Sequence, residues 1–203
     1  MEKGIRNTLV SLIAYIALIL GLFSSTFLIP RPLTDSEAKD IGLFLFDSPR
    51  QISDFQMIDE HGKEVGKESL YGQWSIIFFA FTSCPDICPT TLSVISKAYA
   101  NFDKPVKIIM VTVDPERDSS EGLAKYLSSF NTEFVGYRGS FRETVNLSQQ
   151  LNIAFGKVPG NEPGAYTVDH SASLVLIDNL GRYMGFIKPP HSSSKIQRAI
   201  NSL

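Results

Sequence analysis

The hydrophobic pattern opens with one long uncharged stretch. Between Arg6 and Arg31 lie 24 residues without a charge, including the apolar run Leu9 to Phe23. About 20 such residues span a bilayer as a helix, so residues 1–30 are predicted to be a membrane anchor. A cleaved signal peptide has a shorter apolar core of roughly 7–15 residues. Ser24 and Ser25 are small enough for cleavage, but the apolar run resumes through Phe27, Leu28 and Ile29, and an uncleaved helix is the expectation. Residues 31–49 are polar and contain prolines, and they read as a tether. Within them Gly42 to Phe46 is apolar enough to pack on a domain, without a pattern that places it.

Residues 50–203 alternate between two periods. Ile52 to Ile58 alternates weakly, and Asp59-Glu60-His61-Gly62-Lys63 is a turn, so a β-hairpin with Glu64-Val65 is predicted. Trp74 to Phe81 and Val106 to Val113 are aromatic and β-branched, as strands buried on both faces should be. Leu92, Ile95, Tyr99 and Phe102 recur at helical spacing, as do Leu123, Tyr126, Leu127 and Phe130 behind a Ser119 or Ser120 cap. Phe134-Val135 is a short strand, and Phe141 to Leu151 is a third helix with Val145 and Leu147 or Leu151 inward. Gly156 to Gly164 is rich in breakers and reads as a loop long enough to move. Ser173 to Asp178 and Tyr183 to Ile187 form a second hairpin, and Ile196, Ile200 and Leu203 mark a final amphipathic helix. This order predicts an α/β sheet with helices on both faces.

The two cysteines of the chain, Cys84 and Cys88, stand where the Trp74–Phe81 strand turns into a helix, in Thr82-Ser83-Cys84-Pro85-Asp86-Ile87-Cys88-Pro89-Thr90-Thr91-Leu92. A helix amino terminus favours negative charge, which should lower the thiol pKa values and make both sulfurs reactive. On a helical turn residues four apart share a face, with Cβ atoms about 5–6 Å apart. That separation suits a shared metal ion and needs only a modest adjustment for a disulfide. Pro85 and Pro89 stiffen the turn. A structural disulfide or two inert thiols is the plainer alternative, but structural cysteines seldom crowd such a helix entrance.

Charge changes the picture only by exclusion. The net charge of −2, with no cluster of Lys or Arg, gives no electrostatic footprint for nucleic acid. Lys3 and Arg6 precede the apolar stretch, while Asp35, Glu37 and Asp40 follow it. The positive-inside rule then keeps the amino terminus in the cytoplasm and exports the rest. A single-pass protein of a bacterial inner membrane, with its domain in the periplasm, is the expected setting. Two cysteines there would oxidise by default, so function calls for a reducing partner or a bound metal.

His170, in Tyr166-Thr167-Val168-Asp169-His170-Ser171, precedes a buried strand. A thioredoxin-type sheet brings this segment against the cysteine turn, where thioredoxins carry a cis-proline, and here no proline falls between Gly164 and Ile187. Two thiolates and an imidazole suit Cu(I), can hold Cu(II) with a further donor, and would also accept zinc with one open position. A histidine at such a junction is on its own more often structural. His61 and His191 read as solvated surface residues. Asp86 is placed to hydrogen-bond backbone N–H groups or to raise a thiol pKa. Asp114, Arg117 and Asp118 read as a loop ion pair or a docking surface.

Three motifs together resemble the Sco/SenC family of membrane-anchored copper proteins of cytochrome c oxidase assembly. They are Thr82 to Leu92, Val111-Thr112-Val113-Asp114-Pro115-Glu116-Arg117-Asp118, and Tyr166 to Ser171, within roughly residues 52–190. The resemblance implies a thioredoxin-like fold and copper bound by Cys84, Cys88 and His170. It also implies delivery of copper to the CuA site of oxidase subunit II, with a periplasmic copper donor or thiol reductant as a further partner. Ala80 and Ser83 stand where many members have glycine and histidine, and the 156–165 loop is comparatively short, which bears on partner choice.

The competing reading is a thiol–disulfide oxidoreductase that reduces the CuA cysteines, with Cys84 as nucleophile and Cys88 resolving. Redox catalysts usually have two residues between the cysteines, whereas three stand here. A peroxiredoxin-like peroxidase lacks its usual Thr and Arg partners in this sequence. A copper or redox sensor would share the same site. As a metallochaperone the protein would not be an enzyme.

Overall fold

The computed structural model describes residues 2–28, 33–162 and 164–203. It divides into an amino-terminal unit through Leu33 and a folded unit from Thr34. The first is a helix, α1 (Glu2–Leu28). Its stretch Gly4–Ser24 has 21 residues and is long and apolar enough to cross a membrane.

The folded unit begins earlier than the pattern suggests. Thr34 caps α2 (Asp35–Asp40): its side chain accepts from the Glu37 N–H while the Glu37 carboxylate takes the Thr34 N–H. Strand β1 (Leu43–Gln51) then follows. The stretch expected to be a tether, 31–49, therefore carries a helix and most of an edge strand; residues 31 and 32 lie outside the described ones. Pro49 and the polar pair Asp47-Ser48 hide this strand, because only an edge tolerates a proline that cannot donate to a ladder. The apolar segment Leu43 to Phe46 now has a place, with Phe44 stacked on Phe186 at 5.5 Å and Phe46 edge-on to Tyr183 at 4.8 Å.

The remaining elements follow the predicted order with shifted ends. Strands β2 (Met57–Asp59) and β3 (Glu64–Val65) form the expected hairpin. Asp59 closes its turn by accepting from the N–H groups of His61 and Lys63, both at 2.9 Å, and His61 is exposed there as expected. Next come β4 (Trp74–Ala80), α3 (Ile87–Tyr99), β5 (Val106–Thr112), α4 (Ser120–Ser128), β6 (Val135–Arg138) and α5 (Phe141–Gln150). The expected mobile loop 156–164 is in large part strand: β7 (Phe155–Pro159) pairs with β8 (Tyr166–His170) as a separate two-stranded ribbon. Strands β9 (Leu174–Ile177) and β10 (Arg182–Ile187) and helix α6 (Ser193–Asn201) complete the chain. In α5 the buried positions are Thr144, Leu147 and Ser148, with Leu151 just beyond the helix, while Val145 is only half-buried.

One sheet of eight strands runs β1-β10-β9-β4-β5-β6-β2-β3. The pairs β4–β5 and β5–β6 are parallel and the rest antiparallel. Ile76 to Ala80 in β4 and Ile108 to Val111 in β5 are buried throughout, as central strands with both faces covered must be. Gly136 of β6 leaves room for Leu123 and Leu127 of α4 on one face. On the other face its neighbour Tyr137 accepts from Lys107 Nζ at 2.8 Å. The βαβ core, the antiparallel β9–β10 pair and the closing helix make the domain thioredoxin-like.

Strand β1 can seat against β10 only because residue 185 lacks a side chain. A Cβ there would lie 2.0 Å from the Phe44 carbonyl oxygen. Gly185→Ala is expected to cost about 1–3 kcal/mol, the usual penalty of overpacking, read as a lower denaturant midpoint. An unchanged midpoint would mean that β1 does not dock here.

Candidate metal centre

The cysteine turn is built on the carboxyl end of β4. The Thr82 N–H donates to the Asp118 carboxylate at 3.1 Å, and its hydroxyl donates at 2.5 Å. The Thr112 hydroxyl, at the end of β5, donates to Oδ2 at 2.6 Å, the oxygen that also takes the Thr82 N–H, while the Thr82 hydroxyl is on Oδ1. Asp118 is 1% exposed, and donors on both of its oxygens make such burial tolerable. Two neighbouring strand ends are thereby clamped together just before the chain turns at Cys84. Helix α3 starts at Ile87, so Cys88 occupies its second residue with 1% exposure, while Cys84 is half-buried in the turn.

The free N–H groups of the first helical turn point back at this turn, and that of Cys88 donates to Cys84 Sγ at 3.4 Å. At Cys88 itself, however, the expected lowering of the thiol pKa does not occur. Burial pushes it well up, and a hydrogen bond with Cys84 acts in the same direction. Loss of hydration outweighs the helix terminus, so Cys88 holds its proton at neutral pH.

His170 is the last residue of β8, immediately ahead of β9. Strand β9 lies antiparallel to β4, with Val175 opposite Ile77, and extending that direction carries the chain before β9 towards the end of β4. His170 Nε2 lies 3.4 Å from Cys88 Sγ. The ligand atoms of Cys84, Cys88 and His170 all fall within 4.8 Å of one another. His170 Nδ1 is 3.2 Å from the Ser171 carbonyl oxygen, which can only accept. Nδ1 therefore carries the hydrogen and Nε2 presents its lone pair to the sulfurs. Burial lowers the His170 pKa, so the ring is neutral near pH 7. In this state the Cys88 S–H donates to Nε2, and a metal would replace that single proton. The ring stands edge-on to Phe81 with centroids 6.1 Å apart.

Two sulfurs, neither in a disulfide, and one imidazole nitrogen make a soft three-donor set. The cavity beside them, lined by Phe78, Phe79, Ala80, Ile87, Thr91 and Ala172, measures about 10 Å³. It accommodates about one water-sized group, which suits an ion.

The remaining candidates sort by contact. Arg117 pairs with the fully buried Asp114, as the ion-pair reading expects, but Asp118 serves the cysteine turn instead. Asp86 makes no side-chain cap to α3 and only receives the Thr90 hydroxyl at 3.4 Å. His191 is not a solvated surface residue: it is half-buried, and its Nε2 lies 2.7 Å from the Ala172 carbonyl oxygen, supporting the His170 segment from behind. Tyr126 of α4 also faces the centre, and its buried hydroxyl has no partner among the described residues. Burial pushes its pKa up, and Cys88, Cys84 and Asp118 act in the same direction. Its helical spacing marks it only as a core residue, and nothing local signals the polar neighbours.

Similarity to known proteins agrees with this geometry. The SCO1/SenC family profile matches residues 47–203. An SCO2-like protein of Rickettsia conorii is 28% identical over 184 residues, covering 89% of this chain and 90% of its own length. The structure of Bradyrhizobium japonicum ScoI with copper bound aligns with a TM-score of 0.65 and 36% identity, over 71% of this chain and 94% of that one. Arabidopsis thaliana ScoI with copper bound gives a TM-score of 0.66 and 30% identity, over 71% and 92%. With Cys84, Cys88, the 114–118 loop and His170 all inside the matched span, this chain belongs to the SCO1/SenC family.

Proposed function

We propose that this protein is a membrane-anchored copper metallochaperone that delivers copper to the CuA site of cytochrome c oxidase subunit II. The observation that carries the reading is the meeting of three soft donors within 4.8 Å, with the histidine lone pair aimed at the sulfurs. Sco relatives supply the identity of the cargo, since their structures hold copper, and the family is one of cytochrome c oxidase assembly proteins. Cys84, Cys88 and His170 are the proposed ligands. Helix α1 is the proposed anchor, and Lys3 and Arg6 in its first turns, ahead of the apolar run, favour a cytoplasmic amino terminus with the domain in the periplasm of a bacterium.

Copper is cargo here, and the site is suited to giving it up. Three ligands leave a soft ion open to an incoming thiolate, so release proceeds by replacement of one donor at a time. Cys84, half-buried at the rim, is the sulfur a partner reaches first, while Cys88 is enclosed. The same exposure difference supports a second reading, reduction of the CuA cysteines. Cys84 thiolate would attack the partner's disulfide and release one thiolate; Cys88 would then attack Cys84 Sγ and release the other, leaving a Cys84–Cys88 disulfide and a reduced partner. The raised pKa of Cys88 slows that second step.

His170→Ala in the full-length chain is expected to weaken Cu(I) binding by about 100-fold or more while the fold persists, and Cys84→Ser to abolish tight binding. Competition with a calibrated Cu(I) chelator measures both; unchanged affinity in His170→Ala would remove that residue from the site.

Proton release sets the pH dependence. The raised pKa of Cys88 means that at least one proton leaves for each Cu(I) bound, so apparent affinity should fall about tenfold per unit of decreasing pH between 8 and 6. A flat profile would show that the metal does not displace the Cys88 proton.

A further inference from the structure

The two pieces of chain that supply the donors both lean on one five-residue loop, 114–118. At its end Asp118 holds Thr82, two residues ahead of Cys84. One residue earlier, Arg117 pairs with Asp114, donates from Nη1 to the Tyr166 carbonyl at 3.1 Å, and lies over the Tyr166 ring with its guanidinium carbon 4.0 Å from the centroid. The Tyr166 hydroxyl returns a hydrogen bond to Asp114 at 2.9 Å. The planar guanidinium of an arginine suits this place, since it donates in its plane to a carboxylate and a carbonyl while its face lies on an aromatic ring.

Tyr166 and His170 are the first and last residues of β8. Four residues apart in a strand, they lie on the same face, about 13 Å from each other. Among the described residues the β7–β8 ribbon has no ladder to the main sheet. Its other ties include the Phe141–Phe155 ring contact at 5.9 Å, the buried Val168 side chain, the Phe81 and Cys88 contacts of His170 at the ligand end, the His191 bond to Ala172 and the exposed Lys157–Glu116 pair, which contributes little. The Tyr166 clamp is therefore the polar fastening of the end of β8 far from the ligand.

We propose that loop 114–118 is the positioning element of the centre: Asp118 fixes the cysteine turn, and Arg117 with Asp114 clamps Tyr166 so that the ribbon presents His170 to the sulfurs at a set distance. Arg117 acts through Tyr166 and not on the metal. Releasing the clamp lets the ribbon carry His170 away, leaving a two-sulfur site that loses its ion sooner. The metal arm of the test rests on the copper reading above; the copper-free arm does not.

The test uses the full-length chain in detergent with Arg117→Gln and with the milder Tyr166→Phe, which keeps the ring and removes one hydrogen bond. In the copper-free protein, amide hydrogen exchange in β7 and β8 should rise about tenfold while β4 and β5 stay unchanged. With Cu(I) loaded, removal by a chelator should speed up about tenfold in Arg117→Gln, and that variant should add nothing in a His170→Ala background. Ribbon exchange equal to that of the parent chain overturns the proposal. So does an equal acceleration of copper loss with and without His170, which would place the effect in the cysteine turn. If the parent chain fails to bind Cu(I), the copper reading falls, and the exchange of the copper-free ribbon alone decides the clamp.

Discussion

The buried carboxylate of Asp118 is the contact on which the centre depends. A charge this deep in the domain is tolerable only while its donors stay in place, and they come from the ends of β4 and β5. The cost of losing any of them keeps the two strand ends in register. The cysteine turn inherits that rigidity, since Thr82 both satisfies Asp118 and leads directly into Ser83 and Cys84. A sheet with parallel central strands would leave its strand ends as open loops, and this one ties them with a single charge.

Much of the architecture is legible in the residues themselves. Buried central strands announce themselves as apolar runs, so β4, β5 and β9 are readable, as are the helices with clean 3.6 periodicity. The cysteine spacing and the histidine ahead of β9 are equally plain, because their residue types are rare and their positions relative to strands are fixed by topology. Elements at the margins are harder. Strand β1 is half-exposed and carries Pro49, so its sequence matches a linker, and only pairing with β10 makes it a strand. The β7–β8 ribbon is mostly exposed and rich in glycine and proline at its turn, and its order comes from its partner strand and from distant anchors.

The polar wiring of the centre is the least legible part. Asp114, Arg117 and Asp118 look like one loop ion pair from their spacing, yet one of the acids serves the cysteine turn and the other serves Tyr166, about 50 residues away. No local pattern distinguishes these uses, because hydrogen-bond partners of high sequence separation are set by the fold. The pKa of Cys88 shows the same limit. Its place at a helix start argues for a lowered value, and only its near-complete burial reverses the sign.

The hydrogen bond between Cys88 and His170 makes the centre a cation exchanger. A monovalent soft ion arriving at this sulfur takes the place of its proton, so at Cys88 one positive charge is exchanged for another. Much of the desolvation penalty that normally opposes placing an ion among Phe78, Phe79 and Phe81 then cancels. A partner docking on the rim would therefore meet the cargo first at Cys84, the half-buried sulfur, with the exchanged site at Cys88 enclosed behind it.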